Sequence, residues 1–106
     1  MNIPSKVKVG PHKYTISKDK GDDGDSKFMG TTNNNLLKIT VRLELDGEKV
    51  PESQVTETFL HEILHVIDLL YDLDLKENQI GALAVGILTT IRDNKLDFLD
   101  RNTSTS

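Results

Sequence analysis

Cysteine and tryptophan are both absent from this chain. Without cysteine there are no disulfides and no thiolate metal sites, so a bound metal would have to rest on histidine and carboxylate. A disulfide-free chain suits a reducing compartment, and a cytoplasmic location is the expectation. Aromatic residues make up only 5% of the chain, so the core must be built mainly from Leu, Ile and Val. Long apolar runs are missing too. The short ones carry charges, which excludes a transmembrane helix, and the opening "MNIPSKVKVG" has no apolar stretch of the length a secretory signal needs. No basic cluster stands out among 13 Lys and Arg set against 17 Asp and Glu, for a net charge of −4. Phosphate recognition needs a concentrated basic surface, so nucleic acid is not an expected partner, and neither is a membrane. With 106 residues, one domain spanning 1–106 is expected, with a thin core.

What is present divides into strands followed by helices, the order of an α+β fold. Residues 6–17, "KVKVGPHKYTIS", alternate apolar and polar on either side of Gly10-Pro11 and predict a hairpin or two short strands. Lys18 to Lys27, rich in Asp and Gly, predicts a polar, mobile loop. It lacks the terminal Glu and flanking helices of an EF-hand, so calcium is not expected there. Asn33 to Asn35 predict a turn, and Ile39, Val41 and Leu43 alternate as a strand does. Asp46 to Glu52 reads as a connection, with Pro51 at the first helical position. From Pro51 to about Tyr71 the apolar period is helical, with Phe59, Ile63, Val66, Ile67 and Leu70 on one broad face. Asp72 to Lys76 is a short connector. A second helix is predicted from Glu77 to about Asp93, striped by Ile80, Ala84, Leu88 and Ile91, with a further turn over Asn94 to Asp100 and a frayed polar tail at 101–106.

The first helix carries "HEILH", His61 to His65. Residues four apart on a helix are neighbours, with Cβ atoms about 5–6 Å apart, so two imidazoles at that spacing can converge on one ion. At about 100° per residue, His61, His65 and Asp68 fall within roughly 60° of one another, opposite the apolar face. Glu62 lies about 100° round from His61, off the ligand axis but able to lean over a metal and touch its water. Two ligands plus a general base is the chemistry of H-E-x-x-H on a helix.

A catalytic zinc site takes three protein ligands and a water. Glu77 is the expected third ligand. It opens the second helix after a connector short enough to make the helices neighbours, and it continues the inward stripe, where a lone carboxylate needs a partner. Asp68 is the rival. It lies about 4.5 Å further along the axis than His65, a position that also suits a hydrogen-bond acceptor for an imidazole. His12, in the hairpin turn, is the remaining histidine.

"TFLHEILHVID" followed by "ENQIGALAVGILTTIRDN" resembles the small zincin-like metallopeptidases encoded by bacteriophages and other mobile elements, nearest the minimal branch that places a Glu from the next helix on zinc, as gluzincins do. The resemblance is specific over residues 57–94, loose over 28–43 and weak over 1–27. It implies zinc on His61, His65 and Glu77, with Glu62 as catalytic base. It also implies a short, mostly antiparallel sheet packed on the H-E-x-x-H helix and on a second, C-terminal helix. A protein or peptide substrate would add as a strand to a sheet edge around Lys38 to Val41. The setting would be the host cell cytoplasm for a phage-encoded protein. Two features depart from larger relatives. The acid that follows their third ligand by four residues is Gly81 here, and no residue among Tyr14, Tyr71 and His12 is singled out to stabilise an oxyanion. The same residues would also suit a zinc-binding module without turnover, a phage assembly or host-interaction protein on a peptidase fold.

Overall fold

Val9, Tyr14 and Ile16 turn inward from a hairpin of β1 (Lys6–Val9) and β2 (His12–Asp19), joined through Gly10 and Pro11. Gly10 takes a positive φ of 58°, the conformation a tight hairpin turn requires at its first central residue, and Pro11 supplies the negative φ that follows. The computed structural model describes residues 3–19 and 29–95. β2 runs on through Lys18 and Asp19, which were expected to open the polar loop; the rest of that loop lies outside the described residues.

β3 (Gly30–Asn33) and β4 (Lys38–Arg42) form a second hairpin. Its turn is held by the Asn33 side chain, whose Oδ1 accepts the N–H groups of Asn35 and Leu36 at 3.0 Å each. β4 then pairs parallel to β2, with Ile16 opposite Ile39 and Lys18 opposite Val41. The sheet order is β1-β2-β4-β3, so the sheet is mixed, with antiparallel outer pairings around one parallel central pairing. The segment expected at the edge, Lys38 to Val41, is therefore interior. Its Ile39 and Val41 are both 0% exposed and it has a strand on either side. Among the described residues the edges are β1 and β3.

A two-residue pair, β5 (Glu44–Leu45) and β6 (Glu48–Lys49), folds where only a connection was expected. Asp46 and Gly47 both have positive φ, at 53° and 80°, which is the type I′ turn that Asp-Gly favours.

α1 (Glu52–Tyr71) begins one residue later than predicted, because Pro51 is its cap and not its first helical residue. The Pro51 carbonyl accepts the N–H groups of Gln54 and Val55, while Pro51 itself stays extended at ψ 141°. α1 is the middle layer. Val55, Phe59 and Val66 pack on Val9, Tyr14, Ile16, Ile39 and Val41 of the sheet. A second flank, Leu60, Leu64 and Ile67, packs on Ile80 and Ala84 of α2 (Glu77–Asn94). α2 runs antiparallel to α1, with Glu77 beside His61 and with Leu88 and Arg92 near Glu52 and Thr56. α2 closes at Asn94 on the left-handed cap Lys95, and the rest of the further turn expected to Asp100, like the polar tail at 101–106, lies outside the described residues. Among the described residues no helix is long and apolar enough to cross a membrane.

With the sheet on one side of α1 and α2 on another, the strip of helix surface between them stays open. His61 and His65 lie on that strip, both half-buried.

Candidate metal centre

The connector between the helices decides where Glu77 stands. Asp72 closes α1 in the left-handed conformation (φ 51°), with its N–H on the carbonyl of Asp68. Asp74 is left-handed as well, at φ 56°. α2 then starts on a reciprocal cap, in which the Lys76 N–H donates to Gln79 Oε1 at 2.8 Å and the Gln79 N–H donates to the Lys76 carbonyl at 2.9 Å. Glu77, the first residue of the new helix, is thereby delivered onto the histidine strip.

Its two oxygens meet both imidazoles. Nε2 of His61 lies 2.5 Å from Oε1, and Nε2 of His65 lies 3.1 Å from Oε2. The two rings have centroids 4.9 Å apart and are tilted by 55°. His61, His65 and Glu77 each offer a ligand atom, all within 4.8 Å of one another, and no fourth residue joins the group among the described residues. The donor chemistry fits a divalent metal of the zinc type: two imidazole nitrogens and one carboxylate oxygen. Ligand atoms about 2.0–2.2 Å from a tetrahedral zinc sit roughly 3.4 Å from one another. The short contacts to Glu77 would lengthen, and the widest separation, up to 4.8 Å, would shorten, for the group to accept an ion. Desolvation by its neighbours pushes the exposed Glu77 carboxyl upward, but this is outweighed by the hydrogen bond from His61, the charges of His65 and His61 and the contact with His65. The net position is below the usual Glu value, which favours the ionised form that a ligand needs.

Asp68, the rival third ligand, is engaged elsewhere. Its Oδ1 accepts the N–H of Leu75 at 3.0 Å, and its carbonyl accepts the N–H of Leu73 at 3.2 Å. Side chain and backbone together pin the connector two residues before Glu77. Asp68 thus supports the site through the chain that carries Glu77, and the structure gives it no bond to an imidazole. If the group holds a metal, Asp68→Ala is expected to weaken its binding by about tenfold or more, the usual cost of losing support behind a ligand, while Asp68→Asn, which keeps an acceptor, stays near wild type. Competition with a chromophoric chelator measures both. Equal affinity in all three proteins would remove this role. His12 sits exposed in β2, paired with Val9, and takes no part in the cluster.

Glu62 reaches the sheet and is 7% exposed. Its Oε1 accepts the hydroxyl of Thr32 in β3 at 2.6 Å. No buried side-chain oxygen among the described residues lacks a partner, so the second carboxylate oxygen opens on the clefts that Glu62 lines. These are two adjoining hollows of about 250 and 840 Å³, and both are bordered by His61, Glu62 and Glu77 on the helices and Gly30 on β3. Gly30 is required there, because a Cβ on it would stand 2.5 Å from Thr58 Cγ2 and 3.2 Å from Glu62 Cγ. Gly81, by contrast, is not forced by packing. A Cβ would sit 3.8 Å from His61, an ordinary contact.

Thr32 and Gly30 escape a sequence reading that looks for chemistry-bearing side chains. The available signal is the inward face of β3, which holds Gly and Thr where a core strand would place aliphatics. Of the three oxyanion candidates, none lines either cleft. Tyr14 is buried, its phenol pushed upward by burial, and it reaches the cleft only by donating to Asn34 Oδ1 at 2.8 Å.

Comparison with protein families, curated proteins and solved structures finds no match to this chain.

Proposed function

We propose that the chain is a zinc-dependent peptidase of the minimal gluzincin kind, hydrolysing peptide bonds of a protein or peptide laid along a sheet edge, in the cytoplasm. The observation that carries this reading is Glu62: a buried carboxylate held by Thr32, beside a three-residue ligand group with no fourth member among the described residues, and open to the same clefts. A purely structural zinc site completes its coordination with protein and has no use for a base, whereas a catalytic one keeps a position open.

Zinc held by His61, His65 and Glu77 would supply Lewis acidity, polarising a carbonyl oxygen and lowering the pKa of water to about 7. Glu62 takes a proton from the attacking water as its oxygen bonds to the carbonyl carbon. It hands that proton to the amine as the C–N bond breaks, so one residue serves as base and then as acid. The substrate strand belongs on β3, since β4 is interior and β3 borders both clefts.

Metal analysis after dialysis tests the site. Stoichiometric zinc in the wild type, lost in both His61→Ala and Glu77→Ala, is the expected result; unchanged zinc in Glu77→Ala would return the third position to Asp68. Digestion of a peptide mixture by zinc-loaded protein tests the reaction. Zinc bound without any turnover would favour a zinc-binding assembly or host-interaction module instead.

A further inference from the structure

Gly30 and Thr32 are the inward residues of β3, and both touch Glu62. Gly30 lies against its stem, where a Cβ would be 3.2 Å from Cγ, and Thr32 lies at its head, with the hydroxyl 2.6 Å from Oε1. The other side of the same two residues can be read from the register. Gly30 pairs with Val41 and Thr32 with Ile39, while the Arg42 N–H donates to the carbonyl of Met29 at 2.8 Å. In an antiparallel ladder, hydrogen-bonded and non-bonded pairs alternate. Met29–Arg42 is a bonded pair, so Thr31–Thr40 and Asn33–Lys38 are bonded as well. Gly30 and Thr32 fall in the non-bonded positions, and their N–H and C=O groups face away from β4, onto the edge that no strand among the described residues covers.

We propose that Thr32 is the positioning residue of this site. Its hydroxyl fixes the Glu62 carboxylate while its own backbone N–H and C=O take the substrate strand, so one residue sets both where the peptide lies and where the base aims. The inference rests on the peptidase reading above. An O–H···O⁻ bond of this length is short and charge-assisted, and among the described residues Glu62 has no second side-chain partner to hold it. Without the hydroxyl the carboxylate is free to turn about its terminal torsion, and a misplacement of about 1 Å can cost roughly 10²-fold in rate. The backbone contacts to substrate do not depend on the hydroxyl. The loss should therefore fall on kcat and leave KM in place.

The test compares zinc-loaded wild type, Thr32→Val and Thr32→Ser. Val keeps the shape and strand preference of Thr and removes only the hydroxyl; Ser restores it. Two quantities are measured: kcat and KM on a quenched-fluorescent peptide that the wild type cleaves, and the ¹³Cδ NMR signal of Glu62 in each folded, metal-loaded protein. The expected result is a kcat lowered by about 10–100-fold in Thr32→Val with KM little changed, near-wild-type kcat in Thr32→Ser, and a Glu62 signal displaced in Val only. Unchanged kcat in Thr32→Val, or equal losses in Val and Ser, overturns the inference while the peptidase reading stands. A zinc-loaded wild type that cleaves nothing overturns both.

Discussion

Glu62→Gln should retain stoichiometric zinc and lose about 10²–10⁴-fold in peptide turnover, the span that a positioned acid–base group contributes. The substitution is close to isosteric. The amide oxygen of Gln can still accept from Thr32 Oγ1, which leaves an NH₂ group facing the cleft where the wild type presents a carboxylate oxygen. That group cannot take a proton from water. The group of His61, His65 and Glu77, which could hold a metal ion, is untouched. Stability gives a second readout with an opposite sign. A carboxylate that is 7% exposed and has a single hydrogen-bond partner among the described residues is costly to bury in its charged form, and the neutral amide is less so. The melting temperature of Glu62→Gln should therefore equal or exceed that of the wild type. A residue kept at some expense to stability is the pattern expected of a functional group. Wild-type turnover in Glu62→Gln would remove Glu62 as the base, and a lowered zinc content would mean that the carboxylate supports the metal instead.

The histidine strip was legible because helix geometry is local. Helical phase alone puts His61 and His65 on one side of α1, and a short connector followed by an apolar stripe brings Glu77 to them, as the structure has it. What lay beyond reach was relational. Ile39 and Val41 alternate equally well in an edge strand and an interior one, and only the parallel pairing of β4 with β2 decides which it is. Leu60 and Leu64 form a second apolar flank of α1 that a single-face reading passes over, because α2 supplies the surface that covers it. Asp68 shares the phase of the histidines, so phase could not separate a ligand from a residue that holds the connector. Asp46-Gly47 did carry a local hairpin signal. It was masked by flanking strands of only two residues each, too short to alternate. The partner of Glu62 was the least accessible of all, since Thr32 is 30 residues away and has no chemistry to mark it.

Gly30→Ala is expected to destabilise the protein by about 1–3 kcal/mol, the range for overpacking a tight contact, and to reduce turnover as well. The cause is steric and not conformational, because Gly30 is not among the residues with positive φ. An added Cβ would lie 2.5 Å from Thr58 Cγ2, and Thr58 is buried on α1 one turn before Glu62. It would also lie 3.2 Å from both Glu62 Cγ and the Thr40 carbonyl, so turning the Thr58 side chain relieves only the worst contact. Two relaxations are open: β3, a four-residue edge strand, shifts outward, or the Glu62 side chain gives way. Both separate Glu62 from Thr32. Thr58→Ser, which removes Cγ2 and keeps the hydroxyl, distinguishes packing from any other effect of the glycine. In a double-mutant cycle, Gly30→Ala with Thr58→Ser should recover part of the lost stability, with a coupling in the range of about 0.5–3 kcal/mol. Turnover should stay low, because the contacts with Glu62 and Thr40 persist in the double variant. Chemical denaturation gives the stabilities and the peptide assay gives the rates. Additive stabilities, or a Gly30→Ala protein with wild-type stability and turnover, would mean that β3 does not press on α1 at Glu62 and that the base is held in place without the edge strand.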